Sequence, residues 1–323
     1  MQAQSTARNL FFSFLMTAFV ICGTELIQRA RHPQKLNRES VNPFGIRGPE
    51  ISLAKNPGTV RIIFIGGSTT FGLDNPFEKT FPYLTGKVLK EQVPGLAIET
   101  LNAGKPGLVA ESEAVRIQNL TLLHPDIFVV MTGYNDAATI YRNYIRVDSS
   151  GSLTYPRPSW ALRLHSFLSM HSVAYVTFKE KLAVLFYGDP DYPLGPSRRS
   201  KTQLDAGATQ WLAYYPPFFK KRIEKMSQIA ADHGIKLVFI KAPLSRHRRS
   251  HQPLYVKAYD ALMEKVAEVS DQKKIPLLEL DDIFKGLEET FFIKSDGLHF
   301  TDEGNLKIAE AVSRFLISRN LLK

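Results

Sequence analysis

From Val60 to the carboxyl end the chain alternates short apolar runs with longer stretches in which apolar residues recur every three or four positions. Val60 to Ile65, Ala97 to Leu101, Ile127 to Met131, Lys236 to Ile240 and Ile275 to Leu280 read as strands. Ile62 to Ile65 is continuously apolar, as a strand buried on both faces must be, which points to a parallel sheet covered by helices. Amphipathic helices are expected near Phe81 to Gln92, Glu111 to Leu123, Phe218 to His233, Leu254 to Asp271 and Glu303 to Asn320. Strand and helix in alternation imply an α/β fold, a three-layer sandwich with helices on both faces of the sheet.

Three stretches depart from that rhythm. Leu10 to Gly23 is uncharged and strongly apolar, and Leu26 and Ile27 extend it past Glu25 to about the length of a bilayer span. Small residues suited to cleavage are lacking around Val20 to Thr24, so residues 1–28 are expected to form an uncleaved transmembrane anchor, a hydrophobic helix at the amino end. Residues 29–59 mix basic side chains with Pro33, Pro43, Pro49 and Pro57 and read as a linker lying along a surface. Within it, Val41 to Glu50 has enough apolar and turn residues to dock on the domain that follows; a disordered tether is the other reading. The domain then runs from 60 to 323, interrupted at about 137–215 by an aromatic-rich insertion with no buried-strand pattern. An insertion of that length after a strand suits a lid or a substrate-recognition element, and equally an auxiliary helical layer.

Composition narrows the function classes. The 323 residues carry a formal net charge of +10, yet Lys and Arg are spread along the chain without a zinc-finger, RNP or basic-zipper pattern, so no nucleic-acid partner is expected. A basic surface also suits anionic lipid or an acidic polymer. Cys22 is the single cysteine, which excludes an internal disulfide and a cysteine-based metal site. Arg246-His247-Arg248-Arg249, with Lys241 and His251, reads as a solvated basic loop or an anion-binding rim.

The candidate chemistry gathers at the ends of the predicted strands. Gly66-Gly67-Ser68-Thr69 delivers a serine at the carboxyl end of the first strand, where ligands bind in open α/β sheets. By itself the pattern also fits a helix-capping serine. Asp296-Gly297-Leu298-His299 precedes the last helix, and a carboxylate three residues from an imidazole, with a glycine between, can orient a general base from one loop. Asn102-Ala103-Gly104-Lys105-Pro106-Gly107 follows the second strand and offers a backbone N–H for close approach. Gly133-Tyr134-Asn135-Asp136 follows the third and offers a side-chain amide. Acyl transfer builds negative charge on a carbonyl oxygen, and fixed donors beside a nucleophile meet that need.

In that order, Ser68, Gly107, Asn135 and His299 resemble the four blocks of the SGNH subgroup of GDSL esterases and lipases. The resemblance covers roughly Val60 to the carboxyl terminus, outside the aromatic insertion. It implies a mainly parallel, five-stranded, flavodoxin-like sheet. It implies Ser68 as nucleophile and oxyanion donor, Gly107 and Asn135 as the other oxyanion donors, His299 as general base and Asp296 as its orienting partner. Gly104 is the alternative oxyanion glycine. The chain departs from the family's Gly-Asp-Ser-Leu at Gly67 and Thr69, neither of which the triad uses. The implied activity is hydrolysis of a carboxylic ester, an acyl or acetyl group carried in some cases by a saccharide, with no metal or organic cofactor. Three rivals stand beside it: an O-acyltransferase with the same site, a non-catalytic polymer-binding module on the same scaffold, and phosphate binding at Gly66 to Thr69. The resemblance also favours an extracytoplasmic domain, against the basic residues Arg29, Arg31, Lys35 and Arg38, which by the positive-inside tendency favour the cytoplasm.

Overall fold

The computed structural model describes residues 20, 22–28, 30–31, 41–142, 146–147, 153–154, isolated positions between 160 and 185, 201–293 and 297–323. The chain divides into two units, one of residues 1–38 with 157–198 and one of residues 39–156 with 199–323. In the first, the helical segment 22–28 carries Glu25, whose carboxylate accepts from Ser172 Oγ at 2.8 Å and from the Ala174 N–H at 3.1 Å. Among the described residues no helix is long and apolar enough to cross a membrane. Most of the expected anchor, and most of the insertion between 143 and 200, lies outside the described residues.

The second unit is built on a sheet of β1 (Thr59–Gly66), β2 (Ala97–Asn102), β3 (Ile127–Met131), β4 (Lys236–Lys241) and β5 (Leu277–Glu279), in the order β2-β1-β3-β4-β5. Every neighbouring pair in that sheet is parallel. Ile62 to Ile65 and all of β3 are buried, as continuous apolar runs require. The helices of this unit are α1 (Ser68–Phe71), α2 (Phe81–Gln92), α3 (Ala110–Leu120), α4 (Tyr134–Arg142), α5 (Lys201–Asp232), α6 (Arg246–His251), α7 (Pro253–Lys273), α8 (Asp281–Phe284), α9 (Glu288–Phe291) and α10 (Asp302–Ser318). α2 packs on α10, while α3, α4, α5 and α7 pack among themselves. Right-handed crossovers from β1 outward to β2 and back to β3 put these two groups on opposite faces of the sheet. The chain reverses its winding at β1, so the carboxyl ends of β1 and β3 flank the crevice where such sheets bind ligands.

One element differs from the sequence expectation. α5 begins at Lys201 and runs through Pro216 and Pro217, well ahead of the start near Phe218 that the amphipathic pattern indicates. Trp211, Tyr215, Phe219, Ile223 and Met226 are buried along it, so a continuous apolar stripe holds the helix across the missing amide donors. These aromatics belong to the core. Of the two readings for the stretch ahead of β1, the docked one holds. Residues 41–58 dock on the domain: Ile46 is in the core, Arg47 N–H donates to Asn102 O at 2.8 Å, and Arg61 Nη1 and Nη2 donate to the carbonyls of Leu53 and Ser52.

Candidate active site

β1 ends at Gly66 because the backbone closes there. A side chain at Gly66 would meet Thr70 Oγ1 and the Met131 carbonyl, and one at Gly67 would stand 2.5 Å from Asn135 Nδ2. Ser68 opens α1, a helix of only four residues stopped by Gly72 in the left-handed region at φ 76. A single turn this short offers little of the dipole that a phosphate site at Gly66 to Thr69 would use.

Ser68 Oγ lies 2.8 Å from His299 Nε2. The two are 231 positions apart, and the packing that joins their loops is specific. Asn305, in the first turn of α10, donates from Nδ2 to Asn75 Oδ1 at 3.1 Å, and Asn75 Nδ2 donates to Asp302 Oδ1 at the same distance. Asn305 Oδ1 also accepts from the Phe81 N–H that opens α2. The loop after Ser68 is thus tied to the helix that follows His299. His299 itself sits where the Ile293 N–H donates to its carbonyl and the Gly297 N–H donates to Ile293 O, two residues before Thr301 caps α10 through Gly304. Gly297 has φ +58 and presses on Ser245 Oγ, so a larger residue there would be both strained and crowded. Asp296 lies outside the described residues. On the Nδ1 side of His299, Asp74 Oδ2 is 3.6 Å away.

Arg47 holds the nucleophile loop from beneath. Its side chain is almost fully buried; Nη1 donates to the carbonyls of Phe71 and Gly72 and Nη2 to that of Asn75. Its guanidinium also lies 4.7 Å from the centre of the Phe71 ring. Those of Phe71 and Gly72 are at the carboxyl end of α1, where a helix cannot satisfy them internally, and that of Asn75 is in the loop beyond.

The other candidate donors lie beside Ser68. Asn135 Nδ2 donates to Leu108 O at 2.8 Å, which joins the Gly107 turn to the amino end of α4. Gly107 adopts φ +79 with open space where a side chain would be, and among the described residues its N–H has no acceptor. The same holds for the Ser68 N–H. Gly104, the alternative, donates its N–H to Asn102 Oδ1 at 3.1 Å and packs its α-carbon face against the Phe71 backbone. Its amide is already engaged.

Asp136 was visible in the sequence next to Asn135 but received no role there. It is fully buried; both carboxyl oxygens accept from the Ala110 N–H, and Oδ1 accepts from Tyr215 Oη at 2.7 Å. Val109 caps α3 with no side-chain acceptor, so Asp136 serves as the cap from another helix. Burial raises its pKa to about 6, although the hydrogen bonds from Tyr215 and Ala110 pull the other way. Glu113, on α3, is also buried, and desolvation together with the charge of Asp136 holds its carboxyl well above the usual range.

No family model matches the chain, and no curated protein matches it. Among solved structures it is similar to an α/β hydrolase enzyme from the metagenome of Lake Arreo, Spain, at 15% identity and a TM-score of 0.49, covering 82% of this chain and 96% of that one. A lipase/acylhydrolase from Enterococcus faecalis is similar at 18% identity and a TM-score of 0.48, over 80% of this chain and 96% of that one. An acetyl xylan esterase from Geobacillus stearothermophilus is similar at 13% identity and 0.49, over 80% and 94%.

Proposed function

We propose that this chain is a serine hydrolase that cleaves a carboxylic ester through an acyl-enzyme. The observation that carries the reading is the 2.8 Å approach of Ser68 Oγ to His299 Nε2 at the carboxyl end of β1. The Ser68 and Gly107 N–H groups without acceptors among the described residues, and the second Nδ2 proton of Asn135, supply the oxyanion donors. In the reaction, Oγ bonds to the ester carbonyl carbon as its proton passes to Nε2 and the carbonyl π pair moves onto oxygen. His299 then gives that proton to the departing alkoxide as the C–O bond breaks. Water, deprotonated by the same nitrogen, attacks the acyl-Ser68 ester and releases the acid. Asp296 is assigned as the orienting partner of His299 from its position in the sequence. The resemblance of the four motifs favours a short acyl or acetyl group on a saccharide as substrate, and a sugar hydroxyl in place of water would make the same residues a transferase.

The full chain should hydrolyse a p-nitrophenyl acetate probe and be labelled on Ser68 by a fluorophosphonate, with both lost in Ser68→Ala. A folded protein whose Ser68 stays unlabelled would leave the scaffold as a binding module. The same reading keeps Leu10 to Gly23 as a membrane attachment with the hydrolase unit on the extracytoplasmic side. Fractionation of cells expressing the chain with and without residues 1–28 tests this, and recovery of both forms in the cytosol would remove it.

A further inference from the structure

Asp74 belongs to the nucleophile's own loop, six positions after Ser68, and its carboxylate faces the nitrogen of His299 that Ser68 does not. The separation of 3.6 Å between Asp74 Oδ2 and His299 Nδ1 exceeds a direct hydrogen bond and is well within charge–charge reach. A surface carboxylate on a loose loop would count for little. This one is fixed on both sides. Before it, the N–H groups of Gly72 and Leu73 donate to Ser68 O, and Arg47 donates to the Phe71 and Gly72 carbonyls. After it, Asn75 is held at its carbonyl by Arg47 and at its side chain by Asn305 and Asp302. The backbone of residues 71–75 has more partners than a connecting loop needs, and the side chain it holds beside His299 is Asp74.

We infer that Asp74 is a second carboxylate for the base, a positioning residue that stabilises the His299 imidazolium formed when the Ser68 proton is transferred. The inference rests on the serine-hydrolase reading and adds to it a residue outside the Asp296-to-His299 motif. His299 is charged only after it takes the proton, so a nearby anion favours the transition state over the resting site. Among the described residues near these loops, Lys79 faces Asp302 at 3.6 Å, Arg47 donates to backbone carbonyls, and His247 lies beside Gly297.

The test uses the full chain and the pH dependence of kcat/KM on p-nitrophenyl acetate. Removing a negative charge beside an imidazole makes it a weaker base, so in Asp74→Asn the acid limb should move to lower pH by about half a unit or more. The plateau turnover should fall roughly tenfold with KM little changed, because the effect is confined to the charged state of the base. Asp74→Glu should restore part of the plateau and return the limb toward its original position. Thermal unfolding of both variants should match the parent, since Asp74 is about half exposed, at 47%. A lower plateau with an unmoved acid limb would assign Asp74 a purely structural part and overturn the inference, as would unchanged kinetics. Fluorophosphonate labelling of the parent separates the two claims: unlabelled Ser68 sinks the hydrolase reading, whereas labelled Ser68 with an unmoved limb sinks only the role of Asp74.

Discussion

Two loops at the carboxyl ends of neighbouring strands are immobilised by opposite chemistry. After β1, the carbonyls of Phe71, Gly72 and Asn75 converge on the buried guanidinium of Arg47. After β2, the buried Ala110 N–H that opens α3 donates to the buried carboxylate of Asp136, which also accepts from the Tyr215 hydroxyl. The difference follows from which end of a helix each loop presents. α1 ends beside the nucleophile and leaves acceptors unsatisfied, which a cation meets; α3 begins beside the Gly107 turn and leaves donors unsatisfied, which an anion meets. The consequence is chemical as well as structural. A guanidinium keeps its proton at any pH where the protein folds, while a carboxyl with a pKa of about 6 does not stay in one state. The clamp on the Ser68 loop therefore keeps its charge as pH changes, and the one at the Ala110 end does not.

The strongest way to break this comparison is to remove the cation. In Arg47→Met three buried carbonyls lose a charged donor, at about 1–3 kcal/mol each, so stability should fall by several kcal/mol and esterase activity should go with it. Arg47→Lys should rescue little, because one ammonium cannot reproduce the planar fork that serves Phe71, Gly72 and Asn75 together. Urea unfolding monitored by circular dichroism measures the effect. A midpoint equal to that of the parent would mean that water replaces the guanidinium and that the clamp is incidental.

A smaller loss is expected on the other side, in rate more than in stability. Asn135→Ala removes an oxyanion donor, which typically costs about 100- to 1000-fold in turnover with KM nearly unchanged. It also frees the Leu108 carbonyl, so some loosening of the Gly107 turn should accompany it. Steady-state kinetics on one short-chain ester decide the matter. Near-normal turnover in a folded variant would take Asn135 out of the oxyanion hole.

The same contrast explains what the sequence discloses. Strands buried on both faces announce themselves as apolar runs, and β1 to β4 start and stop within a residue of where those runs do. Ser68, Gly107, Asn135 and His299 could be singled out as candidates because each sits in a short motif whose chemistry is local to it. Arg47, Asn75 and Asn305 were not, because a buried polar hub is defined by partners distant in sequence. Arg47 lies in Phe44-Gly45-Ile46-Arg47-Gly48-Pro49, where a charged residue among apolar and turn residues is the one available signal. Asp74 and Glu113 carry no local signature at all. α5 starts ahead of Phe218 because five buried side chains along one stripe outweigh the two hydrogen bonds missing at Pro216 and Pro217.

The finest test of the comparison is Glu113→Gln, which should change stability by the least and in a direction opposite to most core substitutions. Glu113 and Asp136 both have carboxyl pKa values raised by burial, the first further by the charge of the second. A carboxyl whose pKa is higher in the folded state favours folding while protonated. That contribution is complete below the unfolded value near 4 and is lost as pH rises through the folded value, about 6 for Asp136. Parent stability should therefore decline between about pH 4 and pH 7 from this pair. Gln at position 113 has no proton to lose and removes the repulsion felt by Asp136, so the decline should be shallower. At pH 8 the variant should be more stable by on the order of 1 kcal/mol, and at pH 4 the two should be nearly equal. Urea midpoints at those two values are enough to test it. If the parent and the variant run parallel across the range, the two buried acids ionise without cost, and the pH-dependent half of the comparison is wrong while the arginine clamp still stands.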